Sequence, residues 1–263
     1  MRLTVLGCSG SFPGPDSPAS SYLIEHDGFR LLLDLGNGAL GPLQRYASLS
    51  GVGAICLSHL HADHCLDLCG YWVARTYGPD APLPRIPVYG PAGTARRMAQ
   101  VYGLDEHPGM TEAFDFGTLE PGTREIGPLR VTLAHVNHPV ETFGFRIEAG
   151  GRTLAYSADT GESPALVDLA RGADLMLCEA SFLDGPDLPG GLHLTARQAA
   201  EHAARAGAGL RRQPRRWRPA GAGRGQGTLA DALVCVPSRK PTAAVKGQPP
   251  RGQLEGRRTP RGR

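Results

Sequence analysis

The sequence predicts an α/β fold, and three observations carry that expectation. Short apolar runs of strand length, among them Gly53 to Leu57, Ile86 to Tyr89 and Ala173 to Cys178, alternate with stretches of helical periodicity. Turn residues separate these runs, with 36 Gly and 23 Pro in 263 residues. The residues richest in chemistry stand at strand ends, where α/β folds place functional groups. Chief among them is Ser58-His59-Leu60-His61-Ala62-Asp63-His64, which directly follows the first of those runs.

Along the chain, Arg2 to Cys8 alternates as a strand and ends in the turn Gly7-Cys8-Ser9-Gly10-Ser11. An irregular loop from Pro13 to Pro18 follows. Ser21 to Glu25 and Phe29 to Asp34 read as a hairpin around Asp27-Gly28. The Gly-rich turn Asp34-Leu35-Gly36-Asn37-Gly38 then leads into a helix over Leu40 to Tyr46. It has no P-loop lysine, so tight turning explains its glycines better than phosphate binding does. Leu66 to Thr76 and Thr94 to Tyr102 are expected helices, with a Pro-rich loop from Gly78 to Pro87 between them. Strands follow at Val131 to Val136, Thr142 to Ile147, Thr153 to Ser157 and Ala173 to Cys178. A helix is expected over Ser163 to Arg171, and a last one runs through Ala206.

Charge divides the chain in two. Residues 1–208 carry 14 Arg, no Lys and 23 Asp and Glu, a formal −9. Residues 209–263 carry 14 Arg and Lys against 2 acids, a formal +12, so the overall +3 averages two unlike regions. No signal peptide is visible, because the apolar strand after Met1-Arg2 is too short, and no stretch approaches the length of a membrane span. The six Cys fall mostly in apolar runs, as buried thiols do in reducing compartments, and a cytoplasmic location is expected.

His59, His61, Asp63 and His64 offer three imidazoles and a carboxylate within six positions. Borderline metals such as zinc favour that donor set, and a strand-to-helix turn lets the side chains converge. Cys65 and Cys69 follow at helical spacing and are expected to face the core. Further along, His135 and His138 flank a strand end, Asp159 emerges from another, and Glu179 precedes His193 across a Pro/Gly loop. Read singly, Asp159 could cap a helix and His193 could be a polar residue at a helix start.

Together these motifs resemble the metallo-β-lactamase superfamily, in particular its ribonuclease Z-like branch. The resemblance rests on the HxHxDH hexad, "LLLDLGNG", "VYGPAGT", "HPVETFGF", "YSADT" and "CEASF…HLTA", and spans roughly residues 1–208. It implies an αββα four-layer sandwich and two divalent metal ions, expected to be Zn2+. His59, His61, Asp63, His64, His138 and Asp159 would be the ligands, with Asp159 bridging the ions and Asp34 supporting them. His138 rather than His135 fills the family position. Asp63, His193 and Glu179 would be catalytic: metal-bound hydroxide attacks phosphorus, and His193, oriented by Glu179, protonates the leaving oxygen. Homodimers are also a family expectation.

The substrate class implied is a phosphodiester, RNA as in transfer-RNA 3′-end processing, or a smaller ester such as a cyclic nucleotide. Only 20 residues separate His138 from Asp159, too few for the long substrate-gripping arm of bacterial ribonuclease Z. "CLDLCGYW" after the hexad also departs from the "GLPGLL"-like sequence of those enzymes.

Past Ala208 the resemblance stops. The family pattern needs a further strand and a late His for the second ion, yet no His follows His202. Residues 1–208 therefore read as a truncated hydrolase domain with a weakened second metal site, an unpaired sheet edge and impaired activity. Residues 209–263 read as a basic Arg/Pro/Gly-rich tail with too little apolar patterning to order itself. Two origins stay open: a segment that holds RNA by counterion release, in a catalytically impaired RNA-binding protein, or out-of-frame translation of GC-rich coding sequence.

Overall fold

The computed structural model describes residues 1–185, 188–208 and 234–236. Six strands form a first sheet in the order β1 (Arg2–Gly7), β2 (Ser21–His26), β3 (Phe29–Leu33), β4 (Ala54–Cys56), β5 (Ile86–Gly90) and β6 (Phe114–Thr118). The first three run antiparallel as a meander, and β3 through β6 run parallel. Among the described residues the second sheet also has six: β7 (Gly122–Ile126), β8 (Leu129–His135), β9 (Phe143–Ala149), β10 (Arg152–Tyr156), β11 (Leu175–Glu179) and β12 (Val234–Val236). Here β7 to β10 are antiparallel, and β10, β11 and β12 are parallel.

Period-2 alternation explains how the sheets face each other. In β3, Leu31 and Leu33 point one way and Leu32 the other, and all three are fully buried. Leu31 and Leu33 join Ile24, Ala54 and Cys56 against Val131, Leu133, Phe145, Ile147, Leu154 and Leu177 of the second sheet. Leu32, Leu23, Ile55 and Val88 face outward onto the helical layer, packing with Leu43, Leu68, Tyr71, Trp72 and Met98. That layer holds α1 (Leu40–Leu43), α2 (Ala62–Cys65), α3 (Asp67–Tyr77) and α4 (Thr94–Tyr102). On the far side, Ala155, Met176 and Cys178 pack against α5 (Pro164–Ala170) and α6 (Ala196–Ala206). The result is the αββα sandwich.

Strand burial on both faces makes β3 and β4 near-continuous apolar runs, which is why they were legible. No comparable pattern marks β6 and β7. β6 carries Asp115 and Gly117, and β7 is an edge strand whose Thr123, Arg124 and Glu125 face outward or only half inward. The expected helix over Leu40 to Tyr46 is α-helical only through Leu43, and the one over Leu66 to Thr76 starts after a separate turn, α2. One expectation is corrected. The edge of β11 is not unpaired, because Val234–Val236 lies parallel along it, with Cα partners from Leu177↔Val234 to Glu179↔Val236. The expectations for the rest of 209–263 lie outside the described residues.

Candidate metal centre

Four loops at one end of the sandwich deliver the chemistry. After β4 the chain turns through His59 and His61 into α2, which carries Asp63 and His64. The loop between β8 and β9 carries His138, the end of β10 leads to Asp159, and β11 ends at Glu179, with His193 on the approach to α6. Gly36 allows the loop after β3 to back closely onto this turn. A Cβ there would lie 1.9 Å from the Asp63 carbonyl oxygen, so any side chain would drive the two segments apart. Two non-glycine residues at strand ends beside the site adopt positive φ, Asp34 (57°) and Ala158 (52°).

The donor atoms fall into groups that share Asp159. His59, His61, His138 and Asp159 make one; Asp63, His64 and Asp159 make a second, and in each the atoms lie within 4.8 Å of one another. In the first, His61 Nδ1 is 3.1 Å from His59 Nε2 and 3.3 Å from His138 Nε2. Asp159 Oδ2 is 3.9 Å from His59 Nε2. In the second, His64 Nε2 is 3.2 Å from Asp159 Oδ1 and 3.6 Å from Asp63 Oδ2. A third group joins Asp159 to Glu179 and His193. Glu179 Oε1 is 3.0 Å from His193 Nδ1 and accepts the Thr160 N–H at 2.5 Å.

Bracing comes from outside these groups. Asp34, fully buried, accepts the Ser58 N–H (2.6 Å) on one oxygen. Its other oxygen accepts the Ser58 hydroxyl (2.8 Å) and the Tyr156 hydroxyl (2.6 Å) and lies 2.8 Å from His64 Nδ1. Ser58 Oγ also lies 3.0 Å from His59 Nδ1. His138 Nδ1 donates to the Leu192 carbonyl at 2.9 Å, which turns Nε2 into the site. Ser58, Tyr156 and Leu192 are the site residues that sequence reasoning missed. They bear no metal-binding signature, and Tyr156 meets Asp34 across 122 positions of chain.

The electrostatics follow from burial and mutual proximity. Burial and the neighbouring His64 hold His59 far below the usual histidine range. Burial opposes charge on His64 as well, but Asp159 and Asp34 outweigh it and raise that imidazole well above its ordinary value. Burial pushes the Asp63 and Glu179 carboxyls upward. Burial pushes Asp159 the same way, yet His64 pulls it below the usual carboxylate range.

Of the residues singled out from the sequence, the structure brings together His59, His61, Asp63, His64, His138, Asp159, Glu179 and His193. His135 lies apart, exposed at the end of β8 with its ring 4.5 Å from that of Phe143. Cys65 donates to the His61 carbonyl and packs in the core, where burial pushes its thiol up to about 12, and Cys69 packs against the same core.

These residues fit a divalent cation. Three imidazole nitrogens converge at distances where they cannot all carry protons, and His64 Nε2 is buried between two carboxylates without a directed hydrogen bond to either. Nitrogen and carboxylate donors at this density suit borderline divalent metals.

Fold and donor set together define a class, the metal-binding hydrolases of the β-lactamase superfamily. The chain belongs to it: the model of the beta-lactamase superfamily domain matches residues 29–212. It is similar to the uncharacterized protein Rv1339 of Mycobacterium tuberculosis, 46% identical over 214 residues, 79% of this chain and 77% of that one. The probable metallo-hydrolase YhfI of Bacillus subtilis is 29% identical over 219 residues, covering 80% of this chain and 84% of YhfI. Its crystal structure matches with a TM-score of 0.68 over 78% of this chain and 82% of that one, at 27% identity. Human tRNase Z, short form, shares the fold with a TM-score of 0.66, at 22% identity over 79% of this chain and 90% of that one.

Proposed function

We propose that the chain hydrolyses phosphodiesters with two divalent ions, Zn2+ in the first instance, of which one binds tightly and one weakly. His59, His61, His138 and Asp159 would hold the first, and Asp63, His64 and Asp159 the second. Bound divalent ions supply Lewis acidity toward a phosphoryl oxygen and lower the pKa of water. The chain's own residues do the rest. Glu179 accepts from His193 Nδ1–H and so fixes the tautomer that turns Nε2 toward the substrate. His193 then protonates the leaving oxygen, while Asp63 takes the proton of the attacking water.

The observation that carries this reading is the Glu179–His193 pair. It is 3.0 Å apart and stands 3.9 Å from the shared Asp159, as an acid serving the same reacting atoms must. Similarity to ribonucleases Z, such as that of Mycobacterium marinum, supports phosphodiester chemistry. A second reading, a small or cyclic phosphodiester in place of RNA, is favoured by β9 and β10. They form a plain hairpin closed at Gly150-Gly151, with no arm between His138 and Asp159.

The test is turnover by the full chain, loaded with Zn2+ or Mn2+, of bis(4-nitrophenyl) phosphate, cyclic nucleotides and a precursor transfer RNA. Metal-dependent hydrolysis of the small diesters supports the proposal. Cleavage of the precursor alone would move the reading to RNA processing, and hydrolysis of a carboxylic ester or thioester with none of the three cut would overturn it.

A further inference from the structure

The segment that brings His193 to the site also supports a metal ligand, and a glycine–glycine contact sets its distance. Gly191-Leu192-His193 lies across the turn Asp159-Thr160-Gly161. A Cβ on Gly161 would sit 2.7 Å from Gly191 Cα, 3.0 Å from its nitrogen and 3.1 Å from its carbonyl carbon. These are backbone atoms, so no side-chain rotation could relieve the clash. Gly191 itself has φ +70°, and a Cβ on it would lie 3.3 Å from Asn137 Oδ1. Gly161 N–H donates to the Asn137 carbonyl at 2.7 Å, which fixes this turn to the residue preceding His138. Three functional loops therefore meet at one point, and the approach is close only because two of the residues there lack side chains.

What hangs from that point is specific. Leu192 presents its carbonyl to His138 Nδ1 at 2.9 Å, and the next residue, His193, meets Glu179 at 3.0 Å. We infer that Gly161 and Gly191 are positioning residues that couple the two tasks: one backbone approach both orients His138 toward the metal and sets the reach of the proton donor. This rests on the phosphodiesterase reading for His193 but not for His138, whose orientation is read out by metal binding alone.

The experiment compares Gly161→Ala with Gly190→Ala in the full chain. Gly161 has no positive φ, so its added methyl tests the contact rather than backbone strain, and a Cβ on Gly190 meets nothing within 4 Å. One readout is release of Co2+ from the loaded protein to a competing chelator. The other is the ratio of rates on a diester with a 4-nitrophenyl leaving group and one with an alkyl leaving group, since only the poorer leaving group needs a proton. Gly161→Ala should weaken the tighter ion about tenfold, the range for groups that orient metal ligands. It should also slow the alkyl diester about tenfold or more beyond any loss on the aryl diester, chiefly in kcat. Gly190→Ala should match wild type in both.

Unchanged Co2+ release in a folded Gly161→Ala protein would overturn the coupling, as would equal losses on both diesters. Absence of any diester hydrolysis in wild type would count against the phosphodiesterase reading, leaving the Co2+ comparison to decide the role of the contact at His138. If Gly161→Ala does not fold, Gly191→Ala carries the test against Gly151→Ala, whose φ of +69° matches its backbone strain and whose Cβ meets nothing within 4 Å, and only losses beyond that control count.

Discussion

The two donor groups share Asp159 and differ in how the chain holds the rest. The first has four donors drawn from three loops, with His138 half-buried and steadied by one backbone carbonyl. Among the described residues the second has three, yet its His64 is locked to a fully buried Asp34 that also holds Ser58 and Tyr156. The first group therefore has more donors, while the second has the more direct brace, since Asp34 contacts His64 itself and reaches His59 only through Ser58. The first group should bind its ion more tightly, while the supports of the second should matter more to the stability of the fold.

Variants can break this comparison, and the largest effect is expected at the residue the groups share. Asp159→Ala should abolish binding at the second group, left with two donors, weaken it at least about tenfold at the first, left with three imidazoles, and lower turnover by at least about 10³-fold, because bound metal supplies several kcal/mol of transition-state stabilisation. Metal analysis beside kinetics checks it, and one ion kept at full affinity would refute the sharing. Asp34→Ala should instead act through the fold, costing about 3–5 kcal/mol in a denaturant titration, since it strands a buried imidazole and two hydroxyls. Tyr156→Phe, which removes only one hydrogen bond to that carboxylate, should cost about 2 kcal/mol.

A smaller effect separates the two strand-end histidines. His138→Ala should weaken the tighter ion at least about tenfold, whereas His135→Ala should leave it unchanged by chelator competition. The smallest concerns Asp174, which precedes β11 at the end opposite Glu179. The Thr153 N–H and the Arg152 guanidinium hold its carboxyl below the usual range. A depressed carboxyl stabilises the fold above its unfolded value and loses that contribution as pH falls through the folded one. Asp174→Asn should therefore cost about 1 kcal/mol or less at neutral pH, and nothing in acid below the depressed pKa, by thermal unfolding at the two pH values.

The same contrast governs how much could be read from sequence. The hexad was legible because a single strand-to-helix turn supplies four donors from six neighbouring positions, so local spacing and convergence in space coincide. His138, Asp159, Glu179 and His193 sit at the ends of four separate segments. Each has a bland local explanation, and only the resemblance of their surroundings to a family joined them. The supports were hidden for a different reason. A tyrosine at the end of a buried strand reads as core, and nothing near Tyr156 in sequence says that its hydroxyl meets Asp34. A carbonyl such as that of Leu192 has no residue-type signal at all. In the fold, strands buried on both faces were plain from their apolar runs, whereas β6 and β7, short and partly polar near the sheet edges, gave no periodicity to detect.

The most direct test of the asymmetry is a Zn2+ titration of the chelator-stripped full chain, with bis(4-nitrophenyl) phosphate turnover followed at each addition. One tight equivalent per chain is expected, and a second at least about tenfold weaker whose filling brings the activity. Two equally tight equivalents, or turnover already complete after the first, would contradict it.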